Sequence, residues 1–195
     1  MGIFWLIAVV GALIDQLSKH LIILYFSTSN ASQVDSSVYS TDIEPIQIFA
    51  NSSLDRSILS TQDGVDLIPG ILRIKLVYNS GVSFSWLEGF WWLFIIVASI
   101  ILVSIALIVA KVNLNLFEFL SSSIFTAGLL GNFADRLFRP DHTVVDFIQY
   151  FDWFIGNVAD IFLVGSLLAL IVYYLIKPKQ LDKFTHLIPS QPQNQ

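Results

Sequence analysis

Between Gly131 and Asp160 the chain reads GNFADRLFRPDHTVVDFIQYFDWFIGNVAD, which holds five of the protein's fifteen carboxylates, two arginines and two asparagines. Long apolar runs flank this stretch, so its polar residues sit where a chain in a bilayer tolerates charge least. Asn132, Asp135 and Arg136 are spaced i, i+3 and i+4, and therefore share one face of a helix. Asn157 and Asp160, at i and i+3, do the same on the next apolar run, and Asp146 lies between the two in Val144-Val145-Asp146-Phe147. A helix, a connection and a returning helix bring Asp135, Asp146 and Asp160 to one level. On the first apolar run Asp15 and Lys19 are four apart and can pair on one face. Such a pair either makes its own burial tolerable or braces a polar site, and the cost of charge in lipid favours the brace.

Three chemistries use clustered acids. Two carboxyl groups held close cannot both ionise, so they share a proton near neutral pH. One then activates water while the other polarises a carbonyl, which hydrolyses a peptide bond with neither metal nor covalent intermediate. Intramembrane acids also line proton or ion paths, and oxygen ligands hold divalent metals. His142 is the one histidine near the acids, and a lone histidine at a membrane surface is usually just solvated. A Ser-His-Asp triad lacks a nucleophile elbow to support it. Transporters tend to be longer and internally duplicated. This chain shows no repeat, which tilts the choice from an ion- or proton-translocating protein toward a carboxylate dyad.

The elements that must position these residues follow from composition. The 195 residues are 55% hydrophobic and 13% charged, where a soluble domain carries roughly a quarter charged residues. The apolar runs 3–26, 91–110, about 117–134 and about 154–176 are long enough to cross a bilayer, at about 20 residues each. A cleaved signal peptide fits the first poorly, since no Lys or Arg precedes its apolar core. Residues 27–70 are rich in Ser, Thr, Asn and Asp, with short alternating pieces such as Ile46-Gln47-Ile48. Alternation at Leu72, Ile74, Leu76 and Tyr78 reads as a half-exposed strand, leading into the turn Tyr78-Asn79-Ser80-Gly81. Trp86, Trp91 and Trp92 sit at the start of the second span, as an interfacial belt would.

The expected fold is a membrane all-α core, four transmembrane helices with a small extracytoplasmic β-sheet between the first and second. One domain covers 1–180, with 27–90 as an extracytoplasmic insertion, 137–153 as the other outward loop, and 181–195 as a mobile tail. Lys111, Lys177, Lys179 and Lys183 would then face the cytoplasm with both termini. The formal net charge of −5 and the lack of a basic stripe argue against a nucleic-acid partner. No cysteine is present, which excludes a disulfide framework, a thiolate metal site and a cysteine nucleophile. Any thiol in the chemistry belongs to a partner.

Five segments together resemble the lipoprotein signal peptidases, or signal peptidase II, of bacteria. They are Asp15-Gln16-Leu17-Ser18-Lys19, Tyr78-Asn79-Ser80-Gly81-Val82-Ser83-Phe84, Gly131-Asn132-Phe133-Ala134-Asp135-Arg136-Leu137, Val144-Val145-Asp146-Phe147 and Asn157-Val158-Ala159-Asp160. The resemblance implies an aspartic endopeptidase of the bacterial inner membrane, with its site near the outer leaflet. Its substrate would be a prolipoprotein whose cysteine already carries diacylglycerol, cut before that cysteine. By motif match Asp146 and Asp160 are the catalytic pair, and no metal or cofactor is implied. Asp15, Lys19, Asn79, Gly81, Asn132, Asp135, Arg136 and Asn157 form the supporting shell. Membrane lipid and a globomycin-type inhibitor are the further partners implied. The chain departs from the family at Val82-Ser83, usually two alanines, at Ala134, usually a larger aliphatic residue, and in the length of 27–70.

Overall fold

In the computed structural model the described residues are 1–31, 64–80 and 90–187. The pieces around Ile46-Gln47-Ile48, the residues Gly81 to Phe84 and Trp86 lie outside them. Four helices are long and apolar enough to cross a membrane. They are α1 (Gly2–Ala31), α2 (Trp91–Lys111), α3 (Leu116–Phe138) and α4 (Val158–Ile176). Their outward faces stay apolar and bare, as at Val103 and Leu175, which suits helices solvated by lipid.

Two helices begin on a reciprocal cap. Asn115 accepts from the Glu118 amide at 3.1 Å, and Glu118 accepts from the Asn115 amide at 2.9 Å. Asn157 and Asp160 repeat the arrangement at the start of α4, at 3.0 Å in both directions. Each box satisfies donors that a helix start would otherwise leave unpaired in an apolar setting. The boxes also set the boundaries. α4 starts at Val158 and not near 154, because Asn157 caps it and the apolar residues before it are used elsewhere.

The bundle is built on α3, which packs against α1 and α4, and more lightly against α2. A Cβ on Gly128 would stand 2.4 Å from the Ala159 carbonyl oxygen. Only glycine lets α3 and α4 approach this closely, which is how small residues replace the missing hydrophobic drive between helices in lipid. On α2 only Ala98 is buried.

The sheet has four antiparallel strands in the order β1-β2-β3-β4: β1 (Val65–Ile68), β2 (Leu72–Asn79), β3 (Val144–Tyr150) and β4 (Phe154–Gly156). The strand expected over Leu72–Tyr78 is β2. Half of the sheet, however, comes from the connection between α3 and α4, which sequence reading treated as an outward loop. The period-two signal is missing there because Val144, Val145, Asp146 and Phe147 are all buried, so both faces are covered. Val77 pairs with Asp146 and Asn79 with Val144, and a bulge lies between Ile74 and Val77. Leu76 and Val145 on the sheet pack against Phe26 of α1, with Ile22 and Ile23 beside them. This small core seats the sheet across one end of the bundle.

At the other end, Pro178–Leu187 coil in 3-10 turns. Lys183 on this segment forms an ion pair with the fully buried Glu118. The Tyr174 hydroxyl donates to the same carboxylate at 3.1 Å, and Asn115 donates to the Tyr173 hydroxyl at 2.7 Å. Removing the lysine strands a buried charge, but the lysine head is partly wet, which limits the loss. Lys183→Ala is expected to cost about 1–2 kcal/mol of stability, read as a lower midpoint of unfolding in detergent.

Candidate active site

The end of the bundle beneath the sheet collects nearly every polar residue singled out above. Asp160 is the third residue of α4 and part of its capping box, so its position is set by the helix start itself. Asp146 is fixed by β3, whose pairing with β2 places it opposite Val77 and within reach of Asn79 two residues on. Two asparagines join the carboxylates. Asn157 Nδ2 donates to Asp146 Oδ1 at 2.7 Å and to Asn132 Oδ1 at 3.2 Å. Asn132 Nδ2 donates to Asp160 Oδ1 at 2.8 Å, and Asn79 Nδ2 to Asp146 Oδ2 at 2.8 Å. Both acids are thus held in one network of carboxamides.

Their surroundings differ. Asp146 is 2% exposed, whereas Asp160 is only half-buried. Burial pushes the Asp146 carboxyl up to about 6, and the Asp160 charge adds to the rise. The amide donors of Asn79 and Asn157 and the Lys19 charge pull the other way without cancelling it. Two carboxyl groups in such unequal surroundings have the makings of an acid and a base.

A second layer holds the backbone behind each acid. Asp15 Oδ1 accepts from the Ala159 amide at 2.8 Å, so a side chain from α1 caps α4 one residue before Asp160. Asp135 Oδ2 accepts from the Val145 amide at 3.3 Å, one residue before Asp146. The Lys19 ammonium sits between these two carboxylates, 2.7 Å from Asp15 and 2.8 Å from Asp135, and donates to Asn132 Oδ1 at 3.2 Å. All three charged groups are essentially buried. A Cβ on Gly131 would lie 2.6 Å from Asp15 Oδ2, so only glycine admits the carboxylate here.

Of the sequence-derived residues, Asp15, Lys19, Asn79, Asn132, Asp135, Asp146, Asn157 and Asp160 meet in this cluster, while Gly81 lies outside the described residues. Arg136 stands at its margin. It donates to the Asn132 carbonyl at 3.3 Å, stacks over Phe94 at 4.6 Å, and faces the charges of Asp146, Asp135 and Asp160. Gln16 belongs to the cluster and was passed over. It donates to Asp135 Oδ1 and to the Gly131 carbonyl, both at 3.0 Å. Its signal was a second polar residue beside Asp15 in an apolar run. His142, expected to be solvated, instead donates from Nδ1 to the Arg136 carbonyl at 2.7 Å and stacks on Trp91 at 3.7 Å. Among the described residues no three histidine, aspartate or glutamate side chains are arranged to hold a metal ion.

Known proteins share this chain's sequence pattern and fold. A family model described as signal peptidase (SPase) II matches residues 7–176. A lipoprotein signal peptidase of Bifidobacterium longum subsp. infantis is 36% identical over 123 residues, 60% of this chain and 66% of that protein. One from Caldicellulosiruptor bescii is 39% identical over 106 residues, 54% of this chain and 69% of that protein. The chain thus spans about two thirds of the length of these curated relatives. A bacterial membrane enzyme solved by the in meso method superposes with a TM-score of 0.64 at 27% identity, over 92% of both chains. A second such structure gives 0.63 at 28% identity, over 90% of this chain and 94% of that one.

Proposed function

The chain belongs to the signal peptidase II family, and on that premise we propose that it is an intramembrane aspartic endopeptidase with Asp146 and Asp160 as its reacting pair. Its substrate is a diacylglyceryl-modified prolipoprotein, cut just before the lipidated cysteine. The observation that carries this reading is the shared amide network, in which Asn157 and Asn132 link a buried and a half-buried carboxyl in one chain of hydrogen bonds. The raised position of Asp146, near 6, supports it as the proton-bearing partner.

A water between the two groups gives its proton to Asp160, and its oxygen adds to the scissile carbonyl carbon. The proton on Asp146 passes to the carbonyl oxygen as that oxygen gains charge. In the collapse, Asp146 takes back a hydroxyl proton and Asp160 delivers its own to the amide nitrogen. The C–N bond breaks and both acids return to their starting state. Arg136 lies beside the pair, where its guanidinium fits an ester or peptide carbonyl of the bound substrate. The site end of the bundle faces the outer leaflet of the bacterial inner membrane, and both termini face the cytoplasm. A globomycin-type cyclic peptide competes for the same space.

Purified protein mixed with a lipidated prolipoprotein is expected to release the signal peptide, seen as a mobility shift. Chelator leaves the shift intact and globomycin blocks it. Folded protein that leaves this substrate uncut defeats the assignment. The competent species carries its proton on Asp146, so kcat/KM falls on the alkaline side of about 6. Asn79 stabilises the Asp146 anion by donating to it. Asn79→Leu therefore moves that limb to higher pH, and a limb that stays put or moves down contradicts the role given to Asp146.

A further inference from the structure

The sheet carries a hollow of about 170 Å³ that the chemistry above leaves unused. Lys75 and Val77 of β2, Gln149 of β3, and Asp152, Trp153 and Phe154 around the β3–β4 turn line it. Two of its polar groups have no partner. Gln149 Oε1 is buried and accepts no hydrogen bond among the described residues. Lys75 is half-buried and pairs with no carboxylate among the described residues. Buried polar atoms are almost always bonded, so this oxygen calls for a donor that the fold does not supply. The hollow also adjoins the two acids. Val77 is the ladder partner of Asp146. The Phe154 ring and Asp160 Oδ2 flank Gly156, at 3.2 and 2.7 Å from where its Cβ would stand.

We propose that this hollow receives the first residues of the mature chain, those that follow the lipidated cysteine, and holds them by their backbone. This rests on the peptidase reading above and adds which side of the scissile bond the sheet recognises. Three observations favour the mature segment over other occupants. The hollow belongs to the sheet, before the capping box that starts α4, so it lies outside the apolar spans. A signal peptide is apolar and stays level with those spans, and hydrocarbon gains nothing from a cavity that holds an ammonium, a carboxylate and a carboxamide. A peptide backbone offers what the hollow lacks, an N–H for Gln149 Oε1 and a carbonyl for the Lys75 ammonium. The opposite charges of Lys75 and Asp152 favour neither an acidic nor a basic side chain, which fits the reading of a backbone rather than of one residue type.

Holding the chain on this side fixes the amide nitrogen that leaves with it, the atom to which Asp160 delivers its proton. A misplacement of about 1 Å at a reacting centre can cost a hundredfold in rate. Contacts remote from the reacting bond thus serve the chemical step, and a substrate that lacks them loses turnover.

The test uses full-length protein and two lipopeptides that share a signal sequence and a diacylglyceryl cysteine. One ends at that cysteine as its carboxamide, and the other continues for several residues. Wild-type protein is expected to cut the longer peptide with a kcat/KM about tenfold higher. Gln149→Met, Lys75→Met and Trp153→Ala are each expected to lose several-fold more on the longer peptide than on the shorter, with melting curves confirming folded protein. No gain from the extension in wild type, or equal losses on both peptides in all three variants, would overturn the proposal. A second arm needs no turnover. A photoreactive diazirine on the second residue after the cysteine is expected to label Lys75 or the turn at Trp153 and Phe154. Labelling there by a diazirine on the signal peptide, and none from the mature side, also overturns it. If wild-type protein cuts neither peptide, the peptidase reading fails, and the labelling arm still decides what occupies the hollow.

Discussion

Asp146→Asn and Asp160→Asn are each expected to lower peptide release by at least about a thousandfold, while the protein still inserts and folds. The substitution keeps the shape and removes the chemistry. Asp146 accepts from two carboxamides, one on each oxygen. An asparagine there offers one oxygen, so one donor loses its partner at a cost of about 1 kcal/mol. That loss is small against the loss of rate, because no group remains to hold and return the proton. Asp160 likewise accepts on both oxygens, from Asn132 and from the Asn157 amide. The double variant is expected to be little slower than either single one, as groups that act as a unit are not additive. Purified variants assayed on lipidated prolipoprotein, with unfolding midpoints recorded in parallel, check this. Turnover near wild type in either would remove the pair from the chemistry.

Lys19→Ala has the largest expected effect on stability, about 3–5 kcal/mol. That is a large share of the roughly 5–15 kcal/mol that holds a domain folded. The lysine is 2% exposed and faces Asp15 at 0% and Asp135 at 2%. Without it two buried carboxylates remain with no cation between them. Sequence reading gives the first-helix pair a bracing role, and the geometry shows how far the brace extends. Asp15 holds the amide before Asp160, and Asp135 holds the amide before Asp146. The lysine therefore ties together the backbone supports of both acids, and its loss should also slow the protein that stays folded. Lys19→Ala combined with Asp135→Asn is expected to recover part of the lost stability, since one of the stranded charges is gone. If the single variant melts within about 0.5 kcal/mol of wild type, the buried ammonium is not the tie described.

The site was largely legible because charge in an apolar run is costly and therefore conspicuous. Asp15, Lys19, Asp135 and Asp160 stand out for that reason, and their helical spacing gave their faces. The four spans were legible for the converse reason, as uninterrupted apolar stretches. The strand partners were not. Val144–Tyr150 carries an acid, and its first four residues are all buried, so no alternation marks it. Phe154–Gly156 is apolar and abuts a helix, so it reads as part of that helix until Asn157 is taken as a cap. Gln16 was hidden by its louder neighbours, and Glu118 by its place in a helix whose cap gives it an ordinary reason to be acidic. The stacking of His142 on Trp91 joins residues far apart in the chain, which no local pattern encodes.

The capping box at Asn157 has one more implication. Asp160, which closes the box that starts the last span, is also the proposed acceptor of the water proton, and the Asn157 carboxamide that caps the helix also steers the other acid. Fold and reactivity therefore share the same few atoms. Redesigning this centre around a different nucleophile would unseat the first turn of a membrane helix, so its chemistry is locked to its architecture.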